Sequence, residues 1–165
     1  MLPVAVVGWS LDLVGRLIAA YPETVVGLKD SSGDWNNTSA MIQQFAPAGF
    51  RVFVGSERFL LANLRAGGVG CITATANVNP AAIDRLYREW RSPGAEGLQE
   101  RVNAVRGAVE RRPVIPALKA IVARHSGDTL WRTVRPPLAD LPAADVDLLF
   151  AELDRLSFSM PGLLG

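Results

Sequence analysis

The stretch Thr24-Val25-Val26-Gly27-Leu28-Lys29-Asp30-Ser31-Ser32-Gly33-Asp34 decides how this chain is read. A β-branched opening passes into apolar residues with neither helical nor alternating period. That pattern predicts a strand over Thr24 to Leu28, buried on both faces as in a parallel sheet. Lys29 stands at its C-terminal end. Ser31-Ser32-Gly33-Asp34 is turn chemistry, and the following spacing predicts a helix with Met41, Ile42 and Phe45 inward. Outward from this unit the pattern repeats. Arg51-Val52-Phe53-Val54 predicts a second strand, closed by Gly55; Ser56 then caps a helix that carries Phe59, Leu60 and Leu64 and ends at Gly67-Gly68. Val69 to Thr73 predicts a third strand. Asn79-Pro80 opens a helix with Ile83, Leu86, Tyr87 and Trp90 on its core face. Upstream, Ser10 caps a helix with Leu11, Val14, Leu17, Ile18 and Tyr21, which Pro22 stops.

Strand followed by helix, three times over, is the signature of parallel βα units. After Pro93-Gly94 the strands cease. Leu98, Val102, Val105 and Val109 mark one helix, Ile115 to Val122 a second, and Val146, Leu149, Leu153 and Leu156 a last one. The expected organisation is residues 1–92 as partial barrel βα units and residues 93–165 as a helical region. Pro3 to Val7 offers a fourth strand fragment. A closed barrel of eight βα units needs about 250 residues and at least about 200, whereas this chain has 165. Three parallel strands alone leave two exposed edges, so the sequence reads as part of a larger fold.

Composition narrows the partners. Apolar residues make up 49% and charged residues 20%, with a net charge of +1, enough hydrocarbon for a core and too even a balance for nucleic acid or an anionic membrane. Mean hydropathy is +0.19, yet no apolar run approaches the ~18 residues of a membrane span. One cysteine and one histidine exclude a disulfide framework and a Cys/His zinc site. The opening Met-Leu-Pro-Val-Ala-Val-Val-Gly-Trp-Ser lacks the pattern of a signal peptide, and a cytoplasmic location is the expectation.

The two lysines, Lys29 and Lys119, stand beside fifteen arginines. Lys29 lies at the strand end, the edge where parallel α/β folds place ligands. Against an apolar wall its ammonium loses solvation, and a neutral amine becomes available to attack a ketone and form a Schiff base. Arginine stays protonated and cannot do this. The plain alternative is a lysine snorkelling from a strand end.

Gly27-Leu28-Lys29-Asp30-Ser31-Ser32-Gly33-Asp34 closely resembles the Schiff-base lysine strand of the dihydrodipicolinate synthase / N-acetylneuraminate lyase family. Val52-Phe53-Val54-Gly55-Ser56-Glu57 resembles the next strand and its glycine turn. Ala66-Gly67-Gly68-Val69-Gly70-Cys71-Ile72-Thr73-Ala74-Thr75-Ala76-Asn77-Val78 resembles the strand after that. Arg132 to Leu138 is similar to the family's C-terminal helical region. The resemblance runs from about Ser10 to Leu156.

It implies an α/β fold, the C-terminal part of a (β/α)8 TIM barrel (about strands 6–8) followed by a helical appendage. The implied activity is that of a lyase or class I aldolase acting on pyruvate or a 2-oxo acid together with an aldehyde, with no cofactor and no metal. Lys29 takes the place of the Schiff-base lysine. Gly55 takes that of the glycine whose backbone approaches substrate, and Ile72 that of a pocket wall beside the pyruvyl group. The family's first five strands have no counterpart here, nor do its Gly-Thr-Thr-Gly-Glu carboxylate-binding segment and strand-five tyrosine. Tyr21 and Tyr87 do not replace that tyrosine. The expectation is therefore a C-terminal portion, self-associating or homo-oligomeric, with a catalytically inactive half-barrel or assembly piece as the alternative.

Other candidates read as structural. Gly67-Gly68-Val69-Gly70 precedes its strand, which fails the dinucleotide-binding fingerprint. Cys71 lies inside an apolar strand and reads as packed core, and His125 as the end of a helix. Ser31 and Ser32 read as turn caps or substrate contacts, and Asp30 as structural. Trp35 reads either as packing or as lining the mouth of the site.

Overall fold

The computed structural model describes residues 8–161; the strand fragment Pro3 to Val7 lies outside them. Ten elements follow in order: α1 (Leu11–Ala20), β1 (Gly27–Asp30), α2 (Trp35–Phe45), β2 (Arg51–Val54), α3 (Leu60–Ala66), β3 (Gly70–Cys71), α4 (Pro80–Glu89), α5 (Ala95–Glu110), α6 (Val114–Ser126) and α7 (Ala143–Arg155). The strands form one parallel sheet in the order β1-β2-β3. The chain divides into two compact units. One holds the sheet and runs to Thr73, with Leu86–Ala95 added; the other comprises Ala74–Arg85 and the residues from Glu96 onward. Ala74–Arg85 thus groups with the helical unit.

In the sheet unit the helix ends follow local chemistry. Ser10 Oγ accepts from Leu13 N–H at 3.1 Å, and Asp34 Oδ1 accepts from Asn36 N–H at 2.9 Å, each satisfying a free donor of a first turn. The core is Val14 from α1, Met41, Ile42 and Phe45 from α2, and Phe50 and Val52 at β2. Each such side chain, fully buried, contributes about 1.5–3 kcal/mol relative to exposure. Asn63 of α3 is fully buried, and its Nδ2 donates to the carbonyls of Val52 (3.3 Å) and Gly70 (3.0 Å), clamping β2 to β3.

Strand β1 begins later than its apolar run. Thr24 and Val25 N–H groups both donate to the Tyr21 carbonyl (3.1 and 2.8 Å), so a turn after α1 absorbs the β-branched residues. Pairing starts with Gly27 opposite Arg51. Strand β3 contracts to Gly70–Cys71, although Val69 and Ile72 N–H extend the bonding to Val52 and Val54 carbonyls. Burial on both faces is not met in β1, where Lys29 is exposed and Asp30 buried. Tyr21 and Tyr87 also depart from the expected apolar faces, with 58% and 47% exposure. Tyr21 is already the C-cap of α1. Tyr87 Cε2 lies 3.7 Å from where a Cβ on Gly70 would sit, which puts its ring beside the sheet and away from the α4 core face of Leu86 and Ile83.

The helical unit buries Val105 and Val109 of α5, Leu118 and Ile121 of α6 and Leu149 and Leu153 of α7 in one cluster. Arg112 is buried at the end of α5 and donates to the carbonyls of Ala108 (2.9 Å) and Asp145 (3.0 Å) and to Glu152 Oε1 (3.1 Å). Leu156, expected on the buried face of α7, is exposed because the helix has already ended at Arg155. No helix of the described residues is long and apolar enough to cross a membrane.

Candidate functional site

The three strands run in one direction, so their C-terminal ends form a single edge. Lys29 of β1 is in register with Phe53 of β2, and Phe53 with Gly70 of β3. Side chains alternate along a strand. Lys29, Phe53 and Gly70 therefore share one sheet face, and Ile72, two residues beyond Gly70, continues it. Leu28, Asp30, Val52, Val54 and Cys71 belong to the other face. On this face Lys29 is exposed and Ile72 is 51% exposed, while the rings of Phe53 and Tyr87 lie against Gly70.

Asp30 belongs to the opposite face and is spent on the turn. It accepts from Ser32 N–H (2.9 Å), Ser32 Oγ (3.0 Å), Asn37 Nδ2 (3.2 Å) and the buried Thr38 hydroxyl. Burial pushes its carboxyl upward, but the hydrogen bonds from Thr38, Ser32 and Asn37 outweigh it and hold the group below the usual carboxylate value. Ser32 is thereby committed to capping, since its Oγ also accepts from Asp34 N–H at 3.1 Å. Trp35 stacks on Phe59 with ring centroids 5.9 Å apart and packs on the core of this unit.

Gly55 follows β2 at the same edge. Its N–H donates to the Asp30 carbonyl at 2.6 Å. A Cβ there would stand 2.6 Å from Ser31 Oγ and 2.8 Å from the Asp30 carbonyl oxygen. Glycine is thus required by the approach of the β1 turn, whatever else comes near it.

A buried polar pair escapes the sequence reading. Glu57 is fully buried and accepts a hydrogen bond from the Thr73 hydroxyl, joining the residues just beyond β2 and β3. The signal available was an acidic residue opening an otherwise apolar helix segment, Ser56-Glu57-Arg58-Phe59-Leu60-Leu61. Burial, and next the charge of Glu57, push the Cys71 thiol up to about 11, which keeps it protonated and un-nucleophilic at neutral pH. In the helical unit His125 sits in the last turn of α6, its ring 5.7 Å from that of Phe158. Among the described residues no group of three or more His, Cys, Asp or Glu side chains is placed to hold a metal ion.

The sequence model of the Dihydrodipicolinate synthetase family matches residues 4–153. The chain belongs to this family. It is 32% identical over 145 residues to a DapA-like lyase of Chloroflexus aurantiacus, covering 87% of this chain and 48% of that protein. The crystal structure of dihydrodipicolinate synthase from Agrobacterium tumefaciens superposes with a TM-score of 0.80 at 31% identity, over 93% of this chain and 50% of that one. A prophage protein of the dihydrodipicolinic acid synthase family from E. coli K12, solved in complex with pyruvate, superposes with a TM-score of 0.79 at 24% identity, over 90% and 51%. That last likeness is one of fold. The chain thus spans about half the length of the family members it matches, and the half it matches is an α/β arrangement with a small parallel sheet and trailing helices.

Proposed function

We propose that the protein to which these residues belong is a lyase or aldolase in which Lys29 forms a Schiff base with pyruvate or a 2-oxo acid. The observation that carries the reading is the place of Lys29: at the C-terminal end of a parallel strand, on one face with Ile72, beside the turn at Gly55, in a chain of this family. Pyruvate in the E. coli relative supports the substrate class. In this reading β1, β2 and β3 are barrel strands six to eight, and Ile72 and the Gly55 backbone border the bound pyruvyl group. The remaining partners are an aldehyde and further copies of the chain, and the protein works in the cytoplasm.

The chemistry follows from the amine. The neutral Nζ adds to the keto carbon, the carbonyl oxygen leaves as water, and a C=N bond remains. Once protonated, this iminium accepts the electron pair released when a C3–H proton departs, giving an enamine. The enamine carbon bonds to the aldehyde carbon, and hydrolysis of the iminium returns the lysine. Cleavage runs the same steps backwards. The imine carries every electron shift, so the scheme calls for no cofactor and no metal.

Pyruvate with borohydride tests it: the expected result is a stable adduct on Lys29 and none on Lys119, read by peptide mass spectrometry. Equal labelling of both lysines, or no labelling where a full-length relative labels, would count against the assignment. The second reading, a non-catalytic assembly piece, is favoured by one observation, the exposure of Lys29. Absence of any adduct at Lys29 supports it.

A further inference from the structure

The helical unit carries a cavity of about 580 Å³, open to solvent on the side where Ile115 and Trp131 are half-exposed and within the range of small-molecule sites. Its walls are mainly hydrocarbon, from Val78, Ile115, Leu118, Val122 and Met160, with the indole of Trp131 as one side. Two positive features open into it. Lys119 of α6 is half-buried and holds Nζ 5.5 Å from the Trp131 ring centroid, and no acidic side chain among the described residues pairs with it. Pro80 and Ala81, the first residues of α4, line the same cavity. The first turn of α4 carries no acidic side chain, and the N–H groups just before it, on Val78 and Asn79, are already bonded to the Thr75 carbonyl (3.0 and 2.8 Å). Pro80 itself brings no N–H, so Ala81 carries the first backbone donor of α4 at the cavity wall. Neither an arginine nor an acidic residue lines the space.

We propose that this cavity is a binding site for a small amphipathic monocarboxylate: an apolar or aromatic body against Trp131 and the α6 side chains, with a carboxylate held by Lys119 and the N-terminus of α4. The charge balance selects the class. One ammonium and one helix end match a single negative charge, whereas a phosphate dianion would be left largely against hydrocarbon. A neutral ligand would leave the half-buried ammonium without a counter-charge. The contact with the indole orients Lys119 in the absence of ligand.

The test uses 4-phenylbutyrate, which has no ketone and cannot form an imine, so its outcome is independent of the chemistry proposed for Lys29. Calorimetric titration of the 165-residue chain is expected to give saturable one-to-one binding. The uncharged 4-phenylbutanamide should bind at least about tenfold more weakly, the loss expected for a charge-assisted hydrogen bond. Lys119→Met should abolish that preference. No saturable binding of the carboxylate, equal affinity for the amide, or an undiminished preference in folded Lys119→Met would overturn the proposal. Should Lys119→Met not fold, as judged by circular dichroism, the carboxylate-to-amide ratio on the unaltered chain decides.

Discussion

At Gly55 a side chain has no room, because the nearest atoms belong to the backbone and Cβ-proximal part of the neighbouring strand end, at 2.6–2.9 Å. The 2.6 Å hydrogen bond from its own N–H fixes that approach. Gly55→Ala is therefore expected to destabilise the sheet unit by about 1–3 kcal/mol, the usual cost of forced overpacking, seen as a lower denaturation midpoint. An unchanged midpoint would mean that the turn yields freely. Asp30 gives a prediction in pH. Its carboxyl is held below the unfolded value of 3.8, so the stability it supplies is complete above that value and is lost as pH falls through the lower, folded value. Unfolding followed from pH 6 downward should show the unaltered chain losing stability below about pH 4. Asp30→Asn should start less stable and show a shallower acid limb. Parallel acid limbs would remove Asp30 from that role.

Elements settled where the sequence left room. The helix start at Ser10, the turn before α2, the four-residue strand Arg51–Val54 and the stop at Gly67 were legible because capping and turn chemistry act within a few residues, whereas the cap of α2 by Asp34 was not read. The start of β1 was not, since Thr24 and Val25 suit a strand equally well yet are taken by a turn back to Tyr21. Nor was the clamp of Asn63 on β2 and β3, which reads in sequence as an ordinary helix residue; it also explains Gly68, where a Cβ would meet the Asn63 amide at 2.1 Å. In the helical unit the comparable device is Arg112, which ties the end of α5 to the start of α7 and to Glu152. Arg112→Met should cost about 1–3 kcal/mol, because it removes three hydrogen bonds of a buried guanidinium, one of them to the Glu152 carboxylate. Thermal unfolding by circular dichroism checks this, and a melting temperature equal to that of the unaltered chain would refute it.

For the whole molecule the decisive facts are the open sheet edges and the matched length. Both outer strands of the sheet are edges among the described residues, and Val26, Ile72 and Tyr87 expose large apolar surface in the same unit. Unpaired edges and apolar surface of this kind promote association. The 165-residue chain is accordingly expected to sediment as oligomers or heterogeneous aggregates. A single sharp monomer boundary with cooperative melting would contradict that. Turnover belongs to this scale as well. The resemblance assigns carboxylate anchoring and proton relay to segments without a counterpart in these residues, and a positioned acid–base group alone contributes about 10²–10⁴-fold. Pyruvate release or condensation by the 165-residue chain alone should be negligible, and should appear when the N-terminal half of a relative is supplied in trans. Lys29-dependent turnover by the chain alone would show that the proton relay is supplied from within it.

What the sequence determined by itself was local or carried by motif: the succession of strands and helices, their caps, the family, and a lysine at a strand end. Backbone propensity, capping and turn geometry depend on neighbours a few residues away, and these are written consecutively. Tertiary structure alone decided which side chains share a face and which are buried. It turned Asp30 away from Lys29 into a hydrogen-bonded turn, moved Tyr87 off the core face, buried Glu57 against Thr73, and brought Lys119, Trp131 and the start of α4 around one cavity. Each of these depends on register or packing between segments far apart in the chain, which no single window of residues encodes.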